Sequence, residues 1–283
     1  MRLTEQQHKF MQVFGYLAFP GLLRDRIHAV CDAFDAVFKS HGGGHNGKPH
    51  DGNARSCLVP FIDQSEYLSS LLDDPCIDGI FTSLLGTDYN YLGSDGNFYV
   101  GDTRWHSDGD WSGTMRGAPP RDFFKMAFYL DPLTAGTGAL RVVPGSHRWG
   151  DGFADDLQAA VGDASETLGI RGDQMPAMAL ETQPGDVVVF NHNTKHSAWG
   201  GGTRRRMFTI NCTAHYEADE IPLLRNEISG FARLWVDSVY GQAMLQSASP
   251  QRMVHLQQVL DHQDHLAEEV RKARATMSEP SRG

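Results

Sequence analysis

The stretch RWHSDGDW at 104–111 holds a histidine and an aspartate two positions apart. On a strand such residues share a face, so His106 and Asp108 can present an imidazole and a carboxylate side by side. That pair supplies two-thirds of a two-histidine, one-carboxylate face, the ligand set that leaves positions open on Fe(II) for oxygen and a co-substrate. Two other pairs have the same spacing, His215 with Glu217 and His262 with Asp264. The second falls in a helical pattern, where residues two apart point about 200° away from each other and cannot share a metal. The first sits at the end of a strand with only helix-borne histidines downstream. For a third ligand, QPGDVVVFNHNTKHSAWGGG offers His196, which returns on the segment after a short apolar run. His192 competes with it and is read as a packing residue or a support for the ligands.

A cation follows in TRRRMFTINCTAHY. If Arg205 faces inward, the period of two sends Met207, Thr209 and Asn211 inward and leaves Phe208, Ile210 and Cys212 for the opposite, apolar face. Arg205 is therefore the expected cavity residue, with Arg206 as the alternative. A guanidinium fork holds a carboxylate through paired hydrogen bonds. A dicarboxylic co-substrate would then chelate the metal at one end and meet this arginine at the other. Asn97 and Tyr99 share a face on the strand entering this region and are expected to line the same cavity. His147 in PGSH is read as a structural residue fixing the turn after Val143, and Asn191 and Asn193 as turn caps. Arg55, Lys48 and Lys125 are read as surface charges before they are read as receivers of an anionic substrate. Trp105 and Trp111 are rim or core aromatics.

Three zones along the chain would position these residues. Zone 1–86 is helical. Thr4 with Gln7 forms a capping-box pattern ahead of Phe10, Val13 and Phe14, and Gly15 stops that helix. Leu23, Ile27, Val30, Phe34 and Val37 repeat as an amphipathic stripe, and helical segments follow at Tyr67–Leu72 and Ile77–Leu85. Zone 87–216 alternates short β-rich runs with turn signals: Asn97–Val100, Phe123–Leu130, Ala139–Val143, Met178–Thr182, Asp186–Phe190 and Arg205–Thr213. Gly150–Gly172 interrupts it as a partly helical insertion. Zone 217–283 is helical again, with one last helix over Gln251–Thr276 and a polar SEPSRG end expected to fray. Successive strands without interleaved helices indicate a sandwich or barrel. The expectation is a single domain over 1–283, mainly β with flanking helices. His41–Asn53 and Gly109–Asp122, the latter with Pro119-Pro120, are candidate lids over a cavity.

Composition sets bounds on partners. The 283 residues carry 35 acidic and 25 basic side chains, a net charge of −10, and a chain this acidic is a poor binder of phosphate backbones. No apolar run approaches the roughly 20 residues of a membrane span. The start MRLTEQQHKF has no apolar signal core, and the four cysteines form no CxxC pair. A cytoplasmic protein is expected, acting on a small molecule, with neither nucleic acid nor membrane as partner, as a monomer or homodimer.

Taken in order, WHSD, FYLDPLTAGTGALRVVPGSHRWG and PGDVVVFNHNTKHSAWGGGTRRRMFTIN resemble the phytanoyl-CoA dioxygenase family of Fe(II)- and 2-oxoglutarate-dependent oxygenases, from about Tyr99 to Thr213. The resemblance implies a double-stranded β-helix (jelly-roll, cupin-like) core. It implies His106, Asp108 and His196 as iron ligands and Arg205 as the 2-oxoglutarate clamp. The loop from His196 to the arginines is shorter than in many members, so Arg205 and Arg206 both stay open. Relatives that halogenate lack the metal carboxylate, and Asp108 therefore implies oxygen insertion. The implied activity consumes Fe(II)-bound 2-oxoglutarate and O2, gives succinate and CO2, and hydroxylates an unactivated C–H bond of a small metabolite. The alternatives are a non-catalytic jelly-roll binding protein and a metal oxygenase that needs no 2-oxoglutarate.

Overall fold

The computed structural model describes residues 1–109 and 121–283. Its strands are β1 (Tyr16–Phe19), β2 (Ser56–Leu58), β3 (Asn90–Tyr91), β4 (Gly96–Tyr99), β5 (Thr103–His106), β6 (Phe123–Tyr129), β7 (Leu140–Val142), β8 (Met178–Leu180), β9 (Val187–Asn191), β10 (His196–Ala198) and β11 (Arg205–Thr213). Its helices are α1 (Glu5–Phe14), α2 (Ile27–Ser40), α3 (Glu66–Ser69), α4 (Pro75–Leu85), α5 (Gly152–Val161), α6 (Ala164–Thr167), α7 (Ile221–Ser229), α8 (Gln242–Gln246), α9 (Pro250–His262) and α10 (Leu266–Thr276). Among the described residues no helix is long and apolar enough to cross a membrane. The chain packs as two compact units, Leu3–Asp25 with Tyr99–Met207, and Met1–Arg2 with Arg26–Phe98 and Phe208–Gly283.

The first unit is strand-rich. One antiparallel sheet runs β1-β9-β6 and continues into the opening residues of β11, and a second runs β5-β10-β7-β8. Between the sheets lies a core that takes Tyr16 from β1, Ala127 and Tyr129 from β6, Leu140 and Val142 from β7, and Val188 and Phe190 from β9. This is the two-sheet arrangement of a double-stranded β-helix. Each strand contributes alternate residues to the core because its side chains alternate between faces.

Its entry is set by α1 and Gly15. Thr4 and Gln7 form the expected capping box, and Gly15 closes the helix in the left-handed region at φ 81. A Cβ there would lie 2.5 Å from His147 Nδ1, so the position needs glycine for space as well as for φ. The Gly15 carbonyl then accepts from Asn191 N (2.9 Å) and Thr194 Oγ1 (3.2 Å), tying the helix end to the link between β9 and β10. Met11, not Phe10 or Phe14, is the buried residue of α1. Phe10 and Phe14 are exposed, with their rings tilted against each other at 4.6 Å and Phe10 edge-on to Tyr16 at 5.4 Å.

The turn after β7 is fixed by Ser146 rather than by His147. Buried Ser146 Oγ donates to Val143 O (2.6 Å) and accepts from Lys195 N (2.9 Å). The Gln158 amide on α5 donates to both Ser146 O (2.7 Å) and Asn193 O (2.6 Å). The helical insertion thereby clamps the backbone immediately before β10.

The second unit is helix-rich and holds β2, β3, most of β4 and the later part of β11. Its core is aromatic, with Phe38 and Phe98 centroids 4.0 Å apart and Phe34 and Phe61 5.0 Å apart. Val30, Phe34 and Val37 bury the expected stripe of α2. Leu256, Val259, Leu266 and Val270 are all buried, but the single last helix is two, broken at 263–265. Side chains at the break bond sideways: Gln263 Oε1 accepts from Val239 N (2.9 Å), and Asp264 pairs with Arg225. The SEPSRG end is tied down, contrary to expectation. Ser281 N donates to Arg233 O (2.8 Å), and Arg282 Nη1 donates to Arg55 O (2.8 Å).

Replacing Ser146 by alanine leaves a buried Lys195 N–H without its acceptor, so Ser146→Ala should lower stability by about 1–3 kcal/mol. Urea denaturation will show this as a lower midpoint at unchanged slope.

Candidate metal centre

The register of the second sheet places the histidines. β10 pairs antiparallel with β5 so that His196 lies directly opposite His106, and β7 flanks β10 with Val142 opposite His196. Directly opposed residues on one face bring their Cβ atoms within about 4.5–5.5 Å, and the two imidazole centroids are 4.2 Å apart. Asp108 follows just beyond β5. Its backbone N–H donates to His192 O (2.8 Å), and Gly109 N shares that acceptor (3.0 Å). One carbonyl on the β9–β10 link therefore holds the turn that carries the carboxylate.

His106 Nε2 is 3.7 Å from Asp108 Oδ1, and His196 Nε2 is 3.5 Å from Asp108 Oδ2. One ligand atom from each of the three side chains lies within 4.8 Å of the others. Both rings are oriented from behind, with His106 Nδ1 on Arg104 O (2.7 Å) and His196 Nδ1 on Thr194 O (2.9 Å). A ring nitrogen facing a carbonyl carries the proton, which leaves the Nε2 lone pair directed at the common point. Burial pushes His196 down to about 3, against a pull upward from Asp108. Asp108 is held well below the usual carboxylate range: burial opposes this, and the Lys125 ammonium beside it outweighs it. The arrangement offers two imidazole nitrogens and one anionic oxygen, a donor set suited to a divalent cation.

Lys125 was expected at the surface. It is instead a partly buried strand residue whose Nζ lies 2.7 Å from Asp108 Oδ2. His192 stays outside the triad, its ring stacked on Phe123 at 3.8 Å, while its carbonyl positions Asp108. Neither role has a strong sequence signal, since both faces of FFKMAFY are apolar and a carbonyl's partner is not written in the side chains.

Arg205 and Arg206 part company at the start of β11. Arg206 donates from Nε (3.1 Å) and Nη2 (2.8 Å) to Asp131 Oδ1. Arg205 is 6% exposed, with its guanidinium carbon 5.2 Å from the Tyr99 ring centroid. Cβ atoms at Gly138 and Gly201 would fall 1.8 Å and 2.3 Å from Arg205 Nη1, so both glycines clear the space this guanidinium occupies. Burial raises the Tyr129 hydroxyl, and the Arg205 charge partly offsets that. Asn97 belongs to the helix-rich unit, where its amide accepts from Arg55 Nε (2.8 Å) and donates to Asp95 (2.5 Å).

Of the remaining candidates, Trp105 is buried and donates to Gly172 O (2.8 Å). Asn193 N donates to Asn191 Oδ1 (2.9 Å), the expected turn cap. His215 and Glu217 form no metal cluster among the described residues. In the loop His41–Asn53, buried His45 has its ring nitrogens 3.0 Å from Cys57 O and Pro280 O. Trp111 and the Pro119-Pro120 part of the other expected lid lie outside the described residues.

His196 generates a prediction about pH. The unfolded chain takes up this proton near the ordinary 6.5 and the folded chain near 3, so between these values the unfolded state binds more protons. In metal-free protein His196 therefore withdraws stability as pH falls through that window. NMR of the ring nitrogens should show His196 still neutral at pH 5, and a midpoint near 6.5 would contradict the description.

Comparison with known proteins agrees with this geometry. Residues 11–207 match the phytanoyl-CoA dioxygenase (PhyH) family. No functionally curated protein matches the chain. Among solved structures, HygX from Streptomyces hygroscopicus with nickel and 2-oxoglutarate bound is similar at TM-score 0.59 and 14% identity, covering 76% of this chain and 89% of that one. EctD from S. alaskensis in its apoform is similar at 0.56 and 20%, covering 75% and 77%. SnoK, a non-heme alpha-ketoglutarate-dependent carbocyclase from nogalamycin biosynthesis, is similar at 0.56 and 22%, covering 79% and 91%. At these identities the likeness is one of fold. With the family matched across most of its length, the chain belongs to the phytanoyl-CoA dioxygenases and is an oxygenase that depends on Fe(II) and 2-oxoglutarate.

Proposed function

We propose that this oxygenase hydroxylates an unactivated C–H bond of a small-molecule metabolite, with His106, Asp108 and His196 holding Fe(II) and Arg205 receiving the far carboxylate of 2-oxoglutarate. The observation that carries the reading is the meeting of His106, Asp108 and His196 around one point, with both imidazoles oriented by backbone carbonyls. The donor set suits the ion, since two imidazole nitrogens and one carboxylate on one side are what non-haem Fe(II) takes when positions must stay open. When bound, Fe(II) and 2-oxoglutarate supply the activation of O2, with succinate and CO2 as co-products.

The chain's own residues do the rest. The β5–β10 pairing holds the imidazoles in place, and His192 O holds the turn of Asp108. Arg205, fixed over Tyr99 and cleared by Gly138 and Gly201, offers a buried guanidinium to an anionic group. Arg206 is less suited, because Asp131 already takes its fork. Phe190, a core residue, sets its ring 4.9 Å from that of His196 and gives this side of the triad an apolar wall.

Small metabolites are the favoured substrates because relatives in fold carry such molecules: one HygX structure holds hygromycin B, and one EctD structure holds 5-hydroxyectoine. The test is anaerobic titration with Fe(II) and 2-oxoglutarate, followed by a screen of metabolites for succinate release with mass analysis of the product. A gain of oxygen from labelled O2 is the expected outcome, and a product isomerised or dehydrogenated without that gain overturns hydroxylation. His106→Ala should abolish iron retention and succinate formation. Arg205→Ala removes charge-assisted bonds of about 1.5–3 kcal/mol each, so the KM for 2-oxoglutarate should rise roughly ten- to a hundredfold with a smaller change in kcat. An unchanged KM would move the clamp elsewhere.

A further inference from the structure

Lys125 occupies a place that a lysine rarely takes. In the β6–β9 pairing it stands directly opposite Phe190. Opposed residues share a face, as do residues two and four positions along a strand, so Lys125 lies on the face of Phe190, Ala127 and Tyr129, all members of the core between the sheets. A lysine so placed is costly unless its charge meets a partner. Toward the histidines the two oxygens of Asp108 are alike, Oδ1 3.7 Å from His106 Nε2 and Oδ2 3.5 Å from His196 Nε2, and the Lys125 ammonium, 2.7 Å from Oδ2, is what tells them apart. The lysine comes from the sheet opposite to the one that carries the two histidines.

We propose that Lys125 is a positioning residue that reserves Oδ2 of Asp108, so that the carboxylate meets the metal through Oδ1 alone. This rests on the reading of His106, Asp108 and His196 as iron ligands. The reason is the number of positions on the ion. An octahedral cation held by one atom from each side chain keeps a whole face open for a chelating co-substrate and O2. A carboxylate that grips with both oxygens takes a position from that face, and 2-oxoglutarate must then displace it. An ammonium hydrogen-bonded to one oxygen removes that option, because the oxygen's charge and lone pair are already engaged. The positive charge also opposes the dication, so the lysine does not serve metal affinity. Its benefit falls on the ligands that arrive after the metal. An ion pair that only neutralised Lys125 would predict the reverse, a loss of fold or of metal with no selective effect on 2-oxoglutarate.

The test compares wild type, Lys125→Met and Lys125→Arg. Each is titrated anaerobically with Fe(II) and then with 2-oxoglutarate, and Co(II)-loaded samples report coordination through their visible spectra. Lys125→Met should bind Fe(II) at least as tightly as wild type and 2-oxoglutarate about tenfold or more weakly, the scale at which outer partners of metal ligands act. Its Co(II) spectrum should differ from that of wild type. Lys125→Arg, which restores a cationic donor, should return both readouts toward wild type. Equal 2-oxoglutarate affinities with superimposable Co(II) spectra in wild type and Lys125→Met overturn the proposal. Loss of Fe(II) binding in Lys125→Met also overturns it, by making the lysine a structural counter-ion. If Lys125→Met does not fold, Lys125→Gln makes the same comparison. A wild type that binds no Fe(II) removes the ligand reading and this inference together, whereas a wild type that binds it beside an unaltered variant removes the inference alone.

Discussion

The pairing of two short strands is the constraint from which the site follows. β5 and β10 span only Thr103–His106 and His196–Ala198, yet their register sets His106 against His196. A slip of one residue would turn one imidazole to the opposite face of the sheet and dissolve the cluster. Short strands hold register weakly by themselves. The surrounding structure therefore supplies it, through β7 on the far side of β10, the Ser146 and Gln158 clamp ahead of it, and the Gly15 carbonyl behind the β9–β10 link. The helical insertion and the first helix, which carry none of the three residues, thus contribute to the geometry of the cluster.

Electrostatics at the centre is arranged on the same scaffold. Asp108 stays ionised although burial disfavours it, because the Lys125 ammonium compensates. His196 stays neutral although a carboxylate lies 3.5 Å away, because its burial outweighs that attraction. Each of the two groups is thus kept in a protonation state that suits the proposed binding of a divalent ion. Arg206 spends its fork on Asp131, while the buried Arg205 guanidinium lies over the Tyr99 ring.

Much of this was readable in the residues. The two-residue spacing in RWHSD, the alternation in RRMFTINCT and the capping box at Thr4 are local patterns whose physics acts within a few positions. Six β-rich runs appear as strands with ends moved by a residue or two. What escaped depends on partners distant in sequence. β1 is a four-residue strand directly after a helix, defined by its pairing with β9 and not by its own composition. The last helix breaks because Gln263 and Asp264 find acceptors and donors on other segments. Lys125 could not be assigned a face because both faces of its strand are apolar, and the SEPSRG end is held by Arg233 and Arg55, partners far from it in sequence.

The carbonyl of His192 illustrates a wider property of such sites. It receives the amides of both Asp108 and Gly109, so the turn that carries Asp108 is anchored main chain to main chain. Side chains along that link can therefore drift without moving the carboxylate, provided the peptide path is kept. Descendants of this scaffold are free to rewrite the rim for new molecules while inheriting the anchor, which fits a fold shared here at identities of 14–22% with HygX, EctD and SnoK.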